Sequence, residues 1–297
     1  MMYKLIVGTA NFGLPYGIAR HKKLDRGEAL SILECARAHG VWGVDTAKAY
    51  GDAEQVVGDF FARYGKTFKV IDKLPHREYK SARDVEEEIF DSLKNMNISF
   101  LDVLLVHSFE TYERYWQTIL PVLQSLRRDG VIGHYGVSVY HPSEAERIRT
   151  AINGNFALEF PLNLFDQRFL KGDLLRELKD DGAVLFARSV FLQGLFFLDA
   201  AGLEGNFVKV RENVRKIAQL SKEHHLSREC LALLFVAEKE CLDGIILGVD
   251  GRDHFVSNTE CFSDTHRQKF TCVSTALYDL EIHDEDIILP YRWKVCA

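Results

Sequence analysis

The sequence predicts an α/β chain of 297 residues folded as a single (β/α)8 barrel, a TIM barrel, with an additional C-terminal helix. Three observations lead there. Short β-rich runs alternate with longer amphipathic segments from one end to the other, the pattern of parallel strands joined by right-handed helical crossovers. Those runs number eight, the count a closed barrel needs. The glycine fingerprint G-x-G-x-x-G is missing after the first strand, which weakens the competing doubly wound open sheet.

The expected strands are residues 5–7, 43–45, 69–73, 103–107, 135–137, 157–159, 184–187 and 245–247. Between them, residues 25–39 carry apolar side chains at Leu30, Leu33, Ala36 and Ala38. Residues 82–95 place Val85, Ile89 and Leu93 at four-residue spacing, opposite the acidic face of Glu86, Glu87 and Glu88. Residues 112–128, with Ile119, Leu123 and Leu126, end in basic residues before Gly130, as suits a helix C-terminus. Two successive helices, 206–224 and 227–239, are expected without a strand between them. A helix over 254–262 is followed by a final one over 265–278. No proline- or serine-rich linker interrupts the chain, so one domain, 1–297, is expected.

Bulk composition narrows the function classes. A hydrophobic content of 47% supports a sizeable core and argues against disorder. With a net charge of -6 and no basic stretch interleaved with aromatics, nucleic acid is not an expected partner. The N-terminal apolar run is too short for a secretory segment, and no window approaches a membrane span; no membrane partner and a cytoplasmic location are expected. The six cysteines, Cys35, Cys230, Cys241, Cys261, Cys272 and Cys296, are scattered without a C-x-x-C pair. They read as reduced thiols, neither a disulfide frame nor a metal site. His224–His225 near a helix end lacks a ligand set and reads as capping or solvated.

In a parallel barrel the C-terminal strand ends converge on one mouth. The second, third and fourth strands end in Asp45, Lys73 and His107, and Tyr50 follows Asp45 by five residues in DTAKAYG. Reducing a carbonyl needs hydride at carbon and a proton at oxygen. A phenol of pKa near 10 is a poor acid unless a cation stabilises its anion, a role open to Lys73 with Asp45 holding it charged. His107 can donate a hydrogen bond to the carbonyl oxygen as charge develops there. Taken singly, Asp45 is equally a helix cap, Lys73 a solvated charge, Tyr50 a packing residue and His107 a structural histidine. Three ionisable strand ends in succession, with a tyrosine nearby, favour the catalytic reading.

At these residues the chain resembles the aldo-keto reductases. The resemblance runs through GTANFG, GVWGVDTAKAYGDAE, the strand ending at Lys73, and ISFLDVLLVHSF, and continues through LRRDGVIGHYGVS, FPLNLFDQR, ARSVFLQGL and ILGVDGRDHFVSN. It implies a barrel with NADP(H) extended across the mouth (NAD as the alternative). Tyr50 is then the acid, Lys73 and Asp45 tune it, and His107 orients the carbonyl. Cofactor contacts are implied at Gly8, Thr9, Asp45, Ser138, Glu159, Arg188, Ser189, Gly248, Val249, Arg252, His254 and Asn258.

The cofactor positions depart from the family pattern. Ser138 is kept, but Val139 stands where the family has Asn, Glu159 where it has Gln, and Arg188 where many members stack an aromatic ring. Glu159 and Arg188 end adjacent strands, so an ion pair beneath the nicotinamide is expected, with the guanidinium plane partly replacing the ring. The alternative has Glu159 accepting the bond Gln would make and Arg188 turned elsewhere. Arg252 and His254 are the candidates for a 2′-phosphate, which Asp250 would repel; Asn258 is placed at the adenine. Phe12, Tyr16, Tyr140, Phe191 and Tyr291 are expected to line an aromatic pocket, with Arg188 or Arg292 meeting any negative group.

The expected substrate is a small carbonyl compound or sugar, the tail LPYRW resembling reductases found with sugar-modifying enzymes. Two other functions share the fold: a non-catalytic cofactor sensor or regulatory subunit, and net epimerisation with a tightly held cofactor. Oligomeric state is not legible.

Overall fold

The computed structural model describes residues 4–19, 21–152 and 154–293. Eight parallel strands close into a barrel in sequence order: β1 (Leu5–Gly8), β2 (Gly43–Asp45), β3 (Lys69–Leu74), β4 (Leu101–Val106), β5 (Ile132–Ser138), β6 (Ala157–Pro161), β7 (Val184–Arg188) and β8 (Gly244–Gly248). β8 pairs with β1 in the register Leu5↔Ile245 to Gly8↔Gly248, which leaves no free sheet edge.

The helices are α1 (Ala10–Gly13), α2 (Arg26–Ala38), α3 (Ala53–Tyr64), α4 (Ala82–Asn95), α5 (Phe109–Arg128), α6 (Pro142–Ala151), α7 (Leu174–Asp180), α8 (Arg211–His224), α9 (Arg228–Ala237), α10 (Arg252–Glu260), α11 (Asp264–Thr271) and α12 (Glu285–Ile288). Their starts are written in the sequence. Asp25 and Glu28 form a reciprocal capping box at α2, and Ser81 and Asp84 form one at α4. Ser108, Ser227 and Ser263 cap α5, α9 and α11 through their side-chain oxygens. α8 stops at His225, which takes the left-handed conformation, φ 51°, that ends many helices.

Strand alternation divides the core in two. Ile6, Ile71, Val103, Leu105, Ala157, Phe186 and Ile246 fill the barrel interior, with Trp42 and Val184 packed against them. The outward residues, such as Val7, Val44, Val70, Leu104, Val137, Leu158 and Leu185, join the helices in a larger shell.

All eight strands lie where the sequence places them, β2 with both ends as expected and the others with ends shifted by up to three residues. The stretch expected as one helix over 206–224 begins instead as a 3-10 segment, Gly205–Val210, before α8. The final helix expected over 265–278 is α11 followed by a 3-10 segment, Ser274–Leu280; α12 and a 3-10 turn, Pro290–Arg292, then complete the C-terminal addition.

The cysteine expectation needs correction. Cys230 and Cys261 are joined in a disulfide. The first turn of α9 packs against the end of α10 and brings two Cα atoms 31 residues apart to 5.0 Å, a separation a disulfide spans. Cys35, Cys241 and Cys272 are free thiols; Cys296 lies outside the described residues. No helix among the described residues is long and apolar enough to cross a membrane.

Candidate active site

The site is the next inward layer above the apolar interior. Side chains alternate along a strand, so the residue two beyond each interior position faces the same way. That step leads from Ile6 to Gly8, Gly43 to Asp45, Ile71 to Lys73, Leu105 to His107, Gly136 to Ser138, Ala157 to Glu159, Phe186 to Arg188 and Ile246 to Gly248. Seven of the eight line one cavity of about 350 Å³. The eighth, Lys73, lies beneath it with its side chain fully buried.

Tyr50 reaches this layer from the loop between β2 and α3. Gly13 and Gly51 let two backbone segments touch there: a Cβ on Gly13 would collide with the Tyr50 carbonyl, and Gly51 sits at φ +62° against the Gly13 carbonyl. The glycines of GTANFG and AYGD therefore place the tyrosine. Thr9 locks the neighbouring strand ends, its backbone N–H and hydroxyl both donating to the Asp45 carbonyl at 2.9 and 3.0 Å.

The charged groups form a chain across the barrel. Lys73 Nζ donates to Asp45 Oδ1 and lies 3.1 Å from Glu159 Oε2. Glu159 Oε1 accepts from Ser138 Oγ at 3.0 Å and lies 3.2 Å from Arg188 Nε. Arg188 also donates to Ser189 Oγ at 3.1 Å and to the Val139 carbonyl at 3.2 Å, and its guanidinium carbon sits 4.1 Å from the Tyr140 ring centroid. The ammonium of Lys73 is 5.5 Å from the Tyr50 ring centroid, and the edge of that ring meets His107 with centroids 5.6 Å apart.

Burial sets the protonation tendencies, and the charges modify them. Burial pushes the Tyr50 phenol well above its ordinary range, with Lys73 pulling the other way. Burial works against the Lys73 ammonium, yet Asp45 and Glu159 hold it firmly charged. Asp45 is pushed up by burial more than Lys73 can offset. Burial also opposes ionisation of Glu159, but its two cations, Lys73 and Arg188, overcome it and hold the carboxyl below the usual range. Burial, then Lys73, lowers His107 to about 4, so its ring is neutral at pH 7.

The structure thus brings together Gly8, Asp45, Tyr50, Lys73, His107, Ser138, Glu159, Arg188, Ser189 and Gly248. The Glu159–Arg188 pair is present, and Tyr16, Tyr140, Phe191 and Tyr291 do line the cavity. Phe12 does not: it is 1% exposed and belongs to the outer core, because the turn of α1 carries it inward under the shell. The Val249 side chain is likewise buried, and its carbonyl accepts from Asn11 Nδ2 at 2.7 Å. Arg252, His254 and Asn258 stand on α10, outside the cavity lining, Asn258 buried and the other two exposed. Arg292 is turned to Glu285 at 2.6 Å and Asp286 at 3.6 Å.

Asn11, Gln193 and Phe197 also line the cavity without having been expected. The segments of Asn11 and Gln193, GTANFG and ARSVFLQGL, carried the signal, and Phe197 lies two residues beyond the second, but their orientation depends on irregular backbone. Ser189, Leu192 and Gln193 all have positive φ, and the Gln193 carbonyl accepts from Ile18 N–H at 2.9 Å, folding the β7 loop onto the β1 loop.

Comparison with known proteins bears on the family and the fold. The model of the Aldo/keto reductase family matches residues 4–270. Aldo-keto reductase YhdN of Bacillus subtilis (strain 168) is 27% identical over 183 residues, 58% of this chain and 54% of that protein. Pyridoxine 4-dehydrogenase of Escherichia coli (strain K12) is 24% identical over 140 residues, 42% of this chain and 49% of that one. The matches therefore span about half the length of these relatives. The glycerol dehydrogenase AKR11B4 from Gluconobacter oxydans shares the fold, with a TM-score of 0.72 at 20% identity over 97% of this chain and 92% of that one. With its family model matched over residues 4–270, the chain belongs to the aldo/keto reductase family.

Proposed function

We propose that this chain is one barrel domain acting as an NAD(P)H-dependent oxidoreductase that reduces an aldehyde, ketone or sugar carbonyl to an alcohol. The observation that carries the proposal is the meeting of Tyr50, the fully buried Lys73, its partner Asp45 and His107 at one cavity.

The residues present suit a nicotinamide cofactor. Gly8 and Gly248 pair at the ends of β1 and β8 and leave bare backbone facing the cavity, with open space where a Gly248 side chain would project. Asn11 Oδ1 is a buried acceptor lacking a hydrogen-bond donor. Ser138, Glu159 and the stacked Arg188 supply a polar wall in which a carboxamide finds both donors and acceptors. When bound, the reduced nicotinamide supplies hydride to the carbonyl carbon.

The chain's own residues handle the proton. His107, neutral at pH 7, donates an N–H to the carbonyl oxygen and orients it. As that oxygen gains negative charge it becomes basic enough to take the proton from Tyr50 Oη, while Lys73 stabilises the phenolate left behind. The aromatic walls, Tyr16, Tyr140, Phe191 and Tyr291, exclude water and offer faces to the carbon skeleton of an aldehyde or the C–H face of a sugar.

NADP(H) is the proposed cofactor, with NAD as the alternative. Arg252 opens α10 and His254 follows in its first turn, where the helix N-terminus and a cation together favour a 2′-phosphate; Asp250 and Asp253 oppose it. Thr9, Ser189, Val249 and Asn258 complete the proposed contacts, Val249 through its backbone. A cytoplasmic location is proposed on the chemistry, since such a reductase draws on a reduced nicotinamide pool. Cys230 and Cys261 are 4% and 0% exposed, which shields their disulfide from thiol reductants there.

NADPH consumption with a panel of aldehydes and aldoses tests the function. Turnover that Tyr50→Phe abolishes while NADPH still binds supports it; equal turnover by Tyr50→Phe refutes the assignment of the proton donor.

A further inference from the structure

The glutamate of β6, Glu159, has a second role that its position on the cofactor wall does not require. Its carboxylate is 1% exposed and shared among three strands: Oε2 is 3.1 Å from Lys73 Nζ on β3, and Oε1 meets Ser138 Oγ on β5 at 3.0 Å and Arg188 Nε on β7 at 3.2 Å. The lysine expected to answer to one carboxylate therefore answers to two, Asp45 and Glu159.

We propose that Glu159 is a positioning residue for the proton donor: by sharing Lys73 with Asp45 it weakens the lysine's field at Tyr50 and keeps the proton on the phenol. The inference rests on the reading of Tyr50 as proton donor, but the charge arrangement exists without cofactor or substrate. A lysine held by one carboxylate presents the rest of its field to the neighbouring phenol. A second carboxylate opposite the first cancels part of that field and adds its own negative charge.

The groups facing Glu159 agree with this direction. Lys73 and Arg188 are the cations, Asp45 is the other carboxyl group on the lysine, pushed up by burial, and His107 is neutral at pH 7. Tyr50, Tyr16 and Tyr140 complete the polar surroundings, and Ser138 donates to the carboxylate. Both Asp45 and Glu159 push the phenol in the same direction, upward, against Lys73. Arg188 anchors the far side of the carboxylate and stacks on Tyr140, so the acid end and the cofactor wall share one chain of ion pairs. Gln in place of Glu159 would keep the shape and hydrogen-bonding capacity of the side chain and lose only the charge.

The test uses the protein free of cofactor and substrate, so its failure is distinct from failure of the reductase reading. Tyrosinate absorbance near 295 nm is titrated with pH, and the trace of a Tyr50→Phe variant is subtracted to isolate Tyr50. The same subtraction is made in a Glu159→Gln background. In the native background the difference trace stays flat until the fold is lost. In Glu159→Gln a Tyr50 transition emerges before unfolding, with an acid constant at least tenfold larger, one pH unit lower. Glu159→Asp, which draws the carboxylate back by one methylene, shifts the transition in the same direction by less and carries the test if Glu159→Gln does not fold. Identical difference traces in native and variant backgrounds, or a shift to higher pH, would overturn the proposal.

Discussion

The disulfide between α9 and α10 offers the sharpest energetic test of the fold. Cys230 and Cys261 are 31 residues apart, and the loop they close contains all of β8 and α10, including the strand that seals the barrel against β1. In the chain-entropy picture, closing a loop of that length removes about 4 kcal/mol of freedom from the unfolded chain. The unfolding entropy of globular proteins is about 2.1 cal/mol/K per residue, so for a chain this size that energy lowers the melting temperature by about 6 °C. The replacement to make is Cys230→Ala with Cys261→Ala, since serine would bury unpaired hydroxyls where the thiols are 4% and 0% exposed. Thermal unfolding followed by circular dichroism reads the difference. Mass spectrometry of denatured, alkylated protein, with and without prior reduction, counts the thiols in the bond. The expected outcome is two cysteines protected from alkylation until reduced, and a double variant that melts several degrees lower. Six alkylatable thiols in unreduced protein, or a double variant that melts with the native protein, would refute the reasoning.

Three further outcomes follow from the site. Tyr50→Phe should lower kcat for carbonyl reduction by about 10²- to 10⁴-fold, the usual worth of a positioned acid, with NADPH affinity unchanged; steady-state kinetics and a binding titration check it together. His107 ties stability to pH. Its folded pKa, about 4, lies below the ordinary 6.5, so the unfolded chain binds the extra proton between those values. The stabilisation is complete above about pH 6.5 and is lost as pH falls toward 4, up to about 3 kcal/mol at 1.36 kcal/mol per unit. Urea unfolding at pH 7 and pH 4.5 should show part of that loss in the native protein and less of it in His107→Gln; an equal loss in both would remove His107 as the cause. Finally, Glu159→Gln and Arg188→Tyr should be non-additive in NADPH affinity, with a coupling of about 0.5–3 kcal/mol, because either change alone strands a buried charge. Simple additivity in a double-mutant cycle would show that the pair does not act as a unit.

The barrel was legible because its strands are short apolar runs buried on both faces, bounded by turn residues and separated by helical periodicity. Strand ends were less so. β5 begins at Ile132, three residues before the apolar signal at Tyr135, because Gly133 and His134 are half-buried and do not look like strand core. The inward layer of Asp45, Lys73, His107, Glu159 and Arg188 could be read from strand ends, and so could the Glu159–Arg188 pair, because β6 and β7 are neighbours in any such barrel. The contact between Glu159 and Lys73 could not. It crosses the barrel from β6 to β3 and depends on strand tilt and closure. The disulfide was hidden for a related reason: it depends on how α9 and α10 pack, and nothing in the spacing of Cys230 and Cys261 marks them as partners. Phe12 was expected in the pocket as an aromatic, yet one step around the turn of α1 separates the cavity wall at Asn11 from the core at Phe12.

The measurement to make first is a fluorescence titration of the purified protein with NADPH and separately with NADH, in the native chain and in Tyr50→Phe. Saturable binding of both nucleotides by both proteins is expected, with NADPH the tighter if Arg252 and His254 meet the 2′-phosphate. Folded, nucleotide-free protein that binds neither would mean that Val139, Glu159 and Arg188 have closed the cofactor wall, and the reductase proposal would fall.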